Sequence, residues 1–286
     1  MDIINLFFYY IIRRPILKIW RFLSDYNLNL AIEVNRLPQI DVVMCVISKD
    51  LPILPISIDG VRRFCLNPIK DFFIIAPNNS QIIDFCNENN LTFIDELSVY
   101  NKEKFNTKQF KFKGENRTGW IYQQILKLSF NYGTCENYLV IDADHVLVKP
   151  HLFVNDKGIP FFYMSDEFNL SYYITNYKIL KVKPYFFSFI SHKCVFNKHV
   201  LNELSKEITL GKKGADWVLI LLNHVSFDLS GSPFSEYEFY GSYFKRKYNC
   251  VLKPWHNLNI RRSDVDQKGF LEKGNYHTYT YPSYMD

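Results

Sequence analysis

The stretch that most restricts the fold is Asp41 to Ser48, DVVMCVIS, an apolar and β-branched run with no alternation of polar and apolar positions. A strand of that kind must be buried on both faces, as parallel strands are when helices cover both sides of a sheet. The neighbouring segments fit that requirement. Leu54 to Phe64 reads as a crossover helix, and Phe72 to Ala76 as the next strand, closed by Pro77 and the turn formers Asn78 and Asn79. Ser80 to Asn89 reads as a helix opened by a serine cap, and Leu91 to Ile94 as a short strand. Tyr100 to Thr118 lacks periodicity and is expected to be a loop. Gly119 to Asn131 is expected to be a helix, with Tyr138 to Ile141 and Tyr248 to Leu252 as further strands. Strands alternating with helices predict an α/β fold: a Rossmann-type mixed, mainly parallel sheet flanked by helices.

At 286 residues the chain is just past the size at which one core stops growing, and no linker-like stretch or repeat divides it. The expected organisation is an N-terminal amphipathic helical segment, 1–35, ahead of a single domain, 36–286. Within the segment, Ile3 to Ile12 is nearly all apolar. It is too short to span a bilayer, and no small-residue cleavage site follows it. Further on, Arg14, Lys18 and Arg21 share one side of a helical wheel, with Ile16, Ile19, Trp20 and Leu23 on the other. Residues 1–23 therefore suit a peripheral helix in a membrane interface; a helix packed on the domain or on another subunit is the other reading. Pro15 is expected to break or kink a helix there.

The formal charge of +5 is too small and too dispersed for a nucleic-acid footprint, and better suits a phosphorylated small molecule or an anionic membrane. Six scattered cysteines with no CxxC pair suggest neither a zinc site nor a disulfide framework, so the expected location is cytoplasmic, at the inner face of the cell membrane if the helix binds there. Twenty-five Phe and twenty Tyr fill a core first, and also suit sugar stacking.

The segment with the clearest chemistry is YLVIDADHVLVKP, Tyr138 to Pro150. An apolar strand delivers Asp142 and Asp144 to its carboxyl end, the edge of an open α/β sheet at which ligands bind. Carboxylates at i and i+2 aim the same way if strand geometry persists, and hard divalent cations take carboxylate oxygens while keeping positions for substrate phosphates. Asp142 and Asp144 are thus expected to hold Mn2+ or Mg2+. Arg117, just ahead of the preceding helix, and Gln123, Gln124 and Lys127 within it are expected to place donors near a nucleotide or its phosphates, Gln123 and Lys127 sharing a face. FSEYEFYG, Phe234 to Gly241, sets Glu236 and Glu238 among rings that would raise a carboxylate pKa toward a value useful to a general base. Asp216 competes for that role, although Gly214 and the apolar run after it suit a helix start.

The Asp-x-Asp pair, about a hundred residues beyond the first strand and after a helix, resembles the motif of the GT-A glycosyltransferase superfamily. ISKDLPILPISI, GWIYQQILKL, SFISHKCVF and FSEYEFYGSYF extend the likeness to an uncharacterised bacterial glycosyltransferase-like family, defined by the DxD and SEYExYG motifs. The resemblance implies transfer of a sugar from a nucleotide-sugar donor to a carbohydrate or lipid-linked acceptor, in assembly of a bacterial surface polysaccharide such as capsule or lipopolysaccharide. It further implies nucleotide contacts at Ser48, Lys49, Asp50 and Asp142, an acceptor or base role for SEYExYG, and a histidine completing the metal site. His256 is favoured, with His192 and His277 as alternatives. Within the acidic pair, Asp144 is expected to be the direct ligand and Asp142 to act partly through ribose or second-shell contacts. A metal-dependent nucleotidyltransferase and a non-catalytic carbohydrate- or membrane-binding module remain as other classes; Val46 to Pro55 lacks the glycine that the former would ordinarily carry.

Overall fold

The computed structural model describes residues 11–20, 34–105, 110–264 and 275–285. Residues 11–20 form helix α1. Strand β1 (Ile40–Cys45) is buried at all six positions, as its unalternating sequence requires. It runs into a 3-10 turn at Ser48–Asp50, then α2 (Leu54–Phe64), β2 (Ile69–Ala76), α3 (Ser80–Glu88) and β3 (Thr92–Asp95). Helix α3 is capped by Asn79 instead of Ser80, its side-chain oxygen accepting from the Gln81 and Ile82 N–H groups at 2.9 and 3.3 Å. A short helix α4 (Glu96–Val99) precedes the expected loop, which itself contains short regular pieces: α5 (Lys102–Phe105) and a hairpin of β4 (Lys111–Phe112) and β5 (Glu115–Asn116).

Helix α6 (Thr118–Ser129) leads to β6 (Asn137–Ile141), which returns parallel beside β1. Then come β7 (His145–Leu147), β8 (Phe161–Met164), α7 (Leu170–Leu180) and β9 (Lys193–Asn197), the last antiparallel to β6. The main sheet has the order β3-β2-β1-β6-β9 and is parallel except at the β9 edge. The expected mixed, mainly parallel sheet between helices is therefore present. Helices α8 (Lys198–Ile208), α9 (Trp217–Leu222) and α10 (Glu236–Lys247) follow. The C-terminal part adds β10 (Val251–Pro254) parallel to β8, β11 (Asn257–Asn259), and β12 (Thr278–Thr280) antiparallel to β7.

One large apolar cluster joins the main sheet to α2, α6, α8 and α10, and a smaller one gathers Ile53, Val146, Val148, Tyr279 and Tyr281 beside β7. Gly60 lets α2 lie directly on β7, since a Cβ there would stand 2.7 Å from the Leu147 carbonyl oxygen. Helix α1 continues through Pro15 and docks by Arg13 and Leu17, both buried. Arg13 donates to the Tyr173 hydroxyl and to the Glu167 carbonyl, each at 2.9 Å. Ile12, Ile16 and Ile19 of the same helix face outward, 45 to 58% exposed. The expectations for Ile3 to Tyr10, Arg21 and Leu23 lie outside the described residues. Among the described residues, no helix is long and apolar enough to cross a membrane.

Candidate active site

Strand β1 has β2 on one side and β6 on the other, so the strand order reverses there and the loops after the two carboxyl ends diverge. Open α/β sheets bind ligands in the crevice so formed. Here it is a cleft of about 500 Å³, lined among others by Ile47, Lys49 and Asp50 after β1, Trp120 of α6, Asp144 after β6, and Arg262. Helix α2 fixes the acidic turn, because the Ser57 hydroxyl donates to the Ala143 carbonyl at 2.7 Å.

Asp142 is spent within the protein. One carboxylate oxygen accepts from Lys127 Nζ at 2.5 Å and from the Tyr237 hydroxyl at 2.7 Å, while the other lies 2.8 Å from His192 Nδ1. Burial opposes its ionisation, but the Lys127 ammonium and the His192 contact outweigh that and hold its carboxyl well below the ordinary carboxylate range. Lys127 also donates to Glu236 at 2.6 Å and lies 4.7 Å from the Tyr237 ring centroid. It is buried and saturated, so it acts as the hub that joins α6, β6 and α10, and no phosphate can reach it without displacing a carboxylate.

Asp144 differs. Its carboxylate makes no hydrogen bond or ion pair among the described residues and faces the cleft. Burial, then the neighbouring Asp142 charge, push its carboxyl up to about 6. An available carboxylate beside an electron-rich neighbour is a place for a cation. Among the described residues, however, no three His, Cys, Asp or Glu converge as a metal cage. The donor set suits a cation that takes much of its coordination from substrate phosphates.

Of the other expected residues, Lys49, Asp50, Arg117 and Gln123 line the cleft. Lys49 reaches Ser283 at 3.3 Å, and Asp50 pairs with Arg262 at 3.2 Å. Arg117 is tied to the Gly231 carbonyl at 2.9 Å and lies 5.2 Å from the Trp120 ring centroid, and Gln123 donates to the Cys45 carbonyl at 3.4 Å. Ser48 is absent from the lining and accepts from the Asn79 side chain. Gln124 turns inward to accept from the Glu236 N–H at 3.1 Å, so it caps α10 and does not face a nucleotide.

The two glutamates of SEYExYG do not open onto the cleft. Glu236 is 1% exposed behind Lys127. Glu238, also 1% exposed, accepts from the Ser188 hydroxyl at 2.7 Å and the Phe189 N–H at 2.9 Å, and burial raises its carboxyl to about 7. The expected rise in pKa is present, but in a group that clamps a loop to a helix. Asp216 caps α9 and receives the Tyr100 hydroxyl at 3.1 Å, and it is not part of the cleft lining. His256 packs on His277 with ring centroids 4.7 Å apart, and neither is brought to the carboxylate pair. His192 is the histidine that reaches it.

Two contributors to the cleft were not identified from the sequence. Arg262 donates to the Lys49 and Tyr281 carbonyls at 2.8 and 3.0 Å as well as pairing with Asp50, so it stitches the C-terminal part onto the turn after β1. Glu96, at the end of β3, faces the cleft and pairs with Lys102 at 3.1 Å. A strand end followed by a carboxylate was the available signal for Glu96. Arg262 had none.

No curated protein matches the chain. Among solved structures it is similar to the apo form of mouse xyloside xylosyltransferase 1, with a TM-score of 0.48 and 11% identity over 87% of this chain and 99% of that one. It is similar also to the galactosyltransferase LgtC in complex with donor and acceptor sugar analogs, with a TM-score of 0.44 and 12% identity over 85% of this chain and 87% of that one. Residues 39–277 match the model of a family of unknown function, DUF6492, and the chain belongs to that family.

Proposed function

We propose that the protein is a glycosyltransferase of the GT-A type, using a nucleotide-sugar donor, a carbohydrate or lipid-linked acceptor, and a divalent cation at Asp144. The observation that carries this reading is the cleft at the β1/β6 reversal, where Asp142 is immobilised by Lys127, Tyr237 and His192 while Asp144 beside it is left available. The nucleoside end fits against Ile47 and Trp120, with Glu96 and Lys102 as polar partners, and the diphosphate fits between Asp144, Lys49 and Arg262. When bound, Mn2+ or Mg2+ supplies neutralisation of the leaving diphosphate. The chain's own contribution is to hold Asp144 still through the Ser57–Ala143 bond and to set Lys49 and Arg262 where negative charge develops. The sequence blocks that resemble a bacterial family favour a role in capsule or lipopolysaccharide assembly.

Turnover of a panel of nucleotide sugars, assayed with and without Mn2+, tests the reading. Wild type should hydrolyse or transfer from at least one donor only with metal, and Asp144→Asn should lose about 100-fold or more. Survival of metal-dependent turnover in Asp144→Asn rejects it.

Peripheral membrane contact belongs to the same proposal. Ile12, Ile16 and Ile19 face outward from α1, with Arg14 and Lys18 exposed beside them. Replacing Ile16 and Ile19 by Asp should abolish co-sedimentation with anionic phosphatidylglycerol vesicles. Equal pelleting of both proteins removes the contact from the account.

A further inference from the structure

A second groove, of about 880 Å³, shares its walls with the reaction cleft. Two elements make those walls, and each shows a different part to either side. Around α4, Glu96 and Lys102 line the cleft while Val99 and Tyr100 line the groove. Along α6, Trp120, Gln123 and Leu126 line the cleft while Leu128 and Ser129 line the groove. Helix α8 and Trp217, the first residue of α9, complete the groove.

Buried Leu128, Phe130 and Leu204 give it an apolar base. Tyr100 and Trp217 are half-buried, and neither ring stacks on another ring among the described residues. Tyr100 is fixed by its hydroxyl, which donates to Asp216 at 3.1 Å. The neutral polar groups of the lining are available. The Asn131 and Asn202 amides and the Trp217 indole N–H make no hydrogen bond among the described residues. The Ser129 hydroxyl oxygen is shielded from solvent and has no partner, a costly arrangement that needs an explanation. The charged groups, in contrast, are engaged. Lys198 donates to the Tyr132 and Gly133 carbonyls at 2.8 and 2.9 Å, and Glu136 accepts from the His199 N–H at 2.8 Å. The lining lysine is thus committed to backbone carbonyls, and a phosphate would meet the Glu136 carboxylate instead.

We propose that this groove is a second, non-catalytic carbohydrate site that takes a short stretch of neutral glycan. The C–H faces of the sugar rings lie against Tyr100 and Trp217, and their hydroxyls meet Asn131, Asn202 and Ser129. Ring faces beside uncharged donors and acceptors are the combination that a neutral polyhydroxylated chain demands. The volume falls within the range of ligand sites, about 300–1,000 Å³. An apolar protein surface seated there would leave the amides unsatisfied. The site goes beyond the glycosyltransferase reading and does not depend on it, since none of its residues lines the reaction cleft.

Saturation-transfer NMR titration of the full chain, without nucleotide or metal, tests the site with maltotriose, cellotriose and triacetylchitotriose as probes. Wild type should bind at least one of them. Asn202 is exposed on α8, so Asn202→Arg extends into the groove without disturbing the core. That variant should weaken binding about tenfold or more, and so should Trp217→Leu. The thermal shift given by UDP and Mn2+ should be the same in Asn202→Arg as in wild type; its loss there means that groove and cleft are not separate and overturns the site. Absence of binding by every probe, or undiminished binding in either variant, also overturns it. Dimerisation of wild type that Asn202→Arg abolishes, with no sugar bound, makes the groove a protein interface and overturns it as well. Sugar binding that both variants weaken, in a protein with no nucleotide response, supports the site and overturns only the glycosyltransferase reading.

Discussion

Lys127 Nζ stands between Asp142 and Glu236 at 2.5 and 2.6 Å, with its side chain only 2% exposed. Removing one member of a buried ionic cluster leaves the others desolvated and unpaired, which costs about 3–5 kcal/mol. Lys127→Met should therefore lower stability by that amount in urea unfolding, and adding Glu236→Gln should recover part of it. A loss near zero would mean that the cluster is not coupled. The sequence made Asp142, Asp144 and Lys127 conspicuous but did not separate their roles. Two carboxylates at i and i+2 look alike in one dimension; what distinguishes them is that α10 brings the Tyr237 hydroxyl against Asp142, and Glu236 against the Lys127 that holds it, and neither against Asp144. That contact spans 95 positions and has no local signature.

Helix α10 owes its place to Gly241. A Cβ there would fall 2.3 to 2.7 Å from Phe189 side-chain atoms, so the helix lies directly on the loop that Glu238 clamps. Gly241→Ala should destabilise by about 1–3 kcal/mol through overpacking, measured by urea unfolding, in spite of alanine's better helix propensity. A neutral or stabilising outcome would show that Phe189 can move aside. Elements with a strong period were legible: α2 spans Leu54–Phe64 as expected, and β1 and β6 match to within a few residues. The four-residue α5 and the two-residue strands β4 and β5 were not, because pieces so short complete no hydrophobic period. Pro15 was expected to interrupt a helix that in fact runs through it, and the burial of Arg13 and Leu17 one turn apart shows the tertiary packing that stabilises it.

Across the whole molecule, β7 to β9 and the C-terminal strands bury a group of bases, His145, His151, His277 and Lys193, with Lys193 Nζ 3.4 Å from His145 Nε2. Burial lowers all four pKa values, most legibly for His277, which falls to about 3 with His256 as the next cause. A histidine whose folded pKa lies below its unfolded value contributes stability above the unfolded pKa, near 6.5, and loses it as pH falls toward 3. Between pH 7.5 and pH 5, His277 alone should cost wild type about 2 kcal/mol. His277→Asn should show a correspondingly smaller acid loss in urea unfolding, and an unchanged loss contradicts the assignment. Glu238 and Asp144 act with the opposite sign: their raised values contribute stability at acid pH that is lost as pH rises through about 7 and about 6, so the comparison must be made between variants at matched pH.

The same long-range assembly explains why the cleft was only half legible. Arg262 closes onto Lys49 from 213 positions away, a distance over which no motif could announce the contact. The central claim remains the available carboxylate after β6. Thermal unfolding of wild type and Asp144→Asn, each with UDP or GDP sugars in the presence and absence of Mn2+, tests it most directly, since a ligand at one hundred times its Kd adds about 2.7 kcal/mol to stability. The account predicts a rise of several degrees for wild type with nucleotide and metal together and none for Asp144→Asn; the same rise in both proteins, or none in either with any nucleotide, would contradict it.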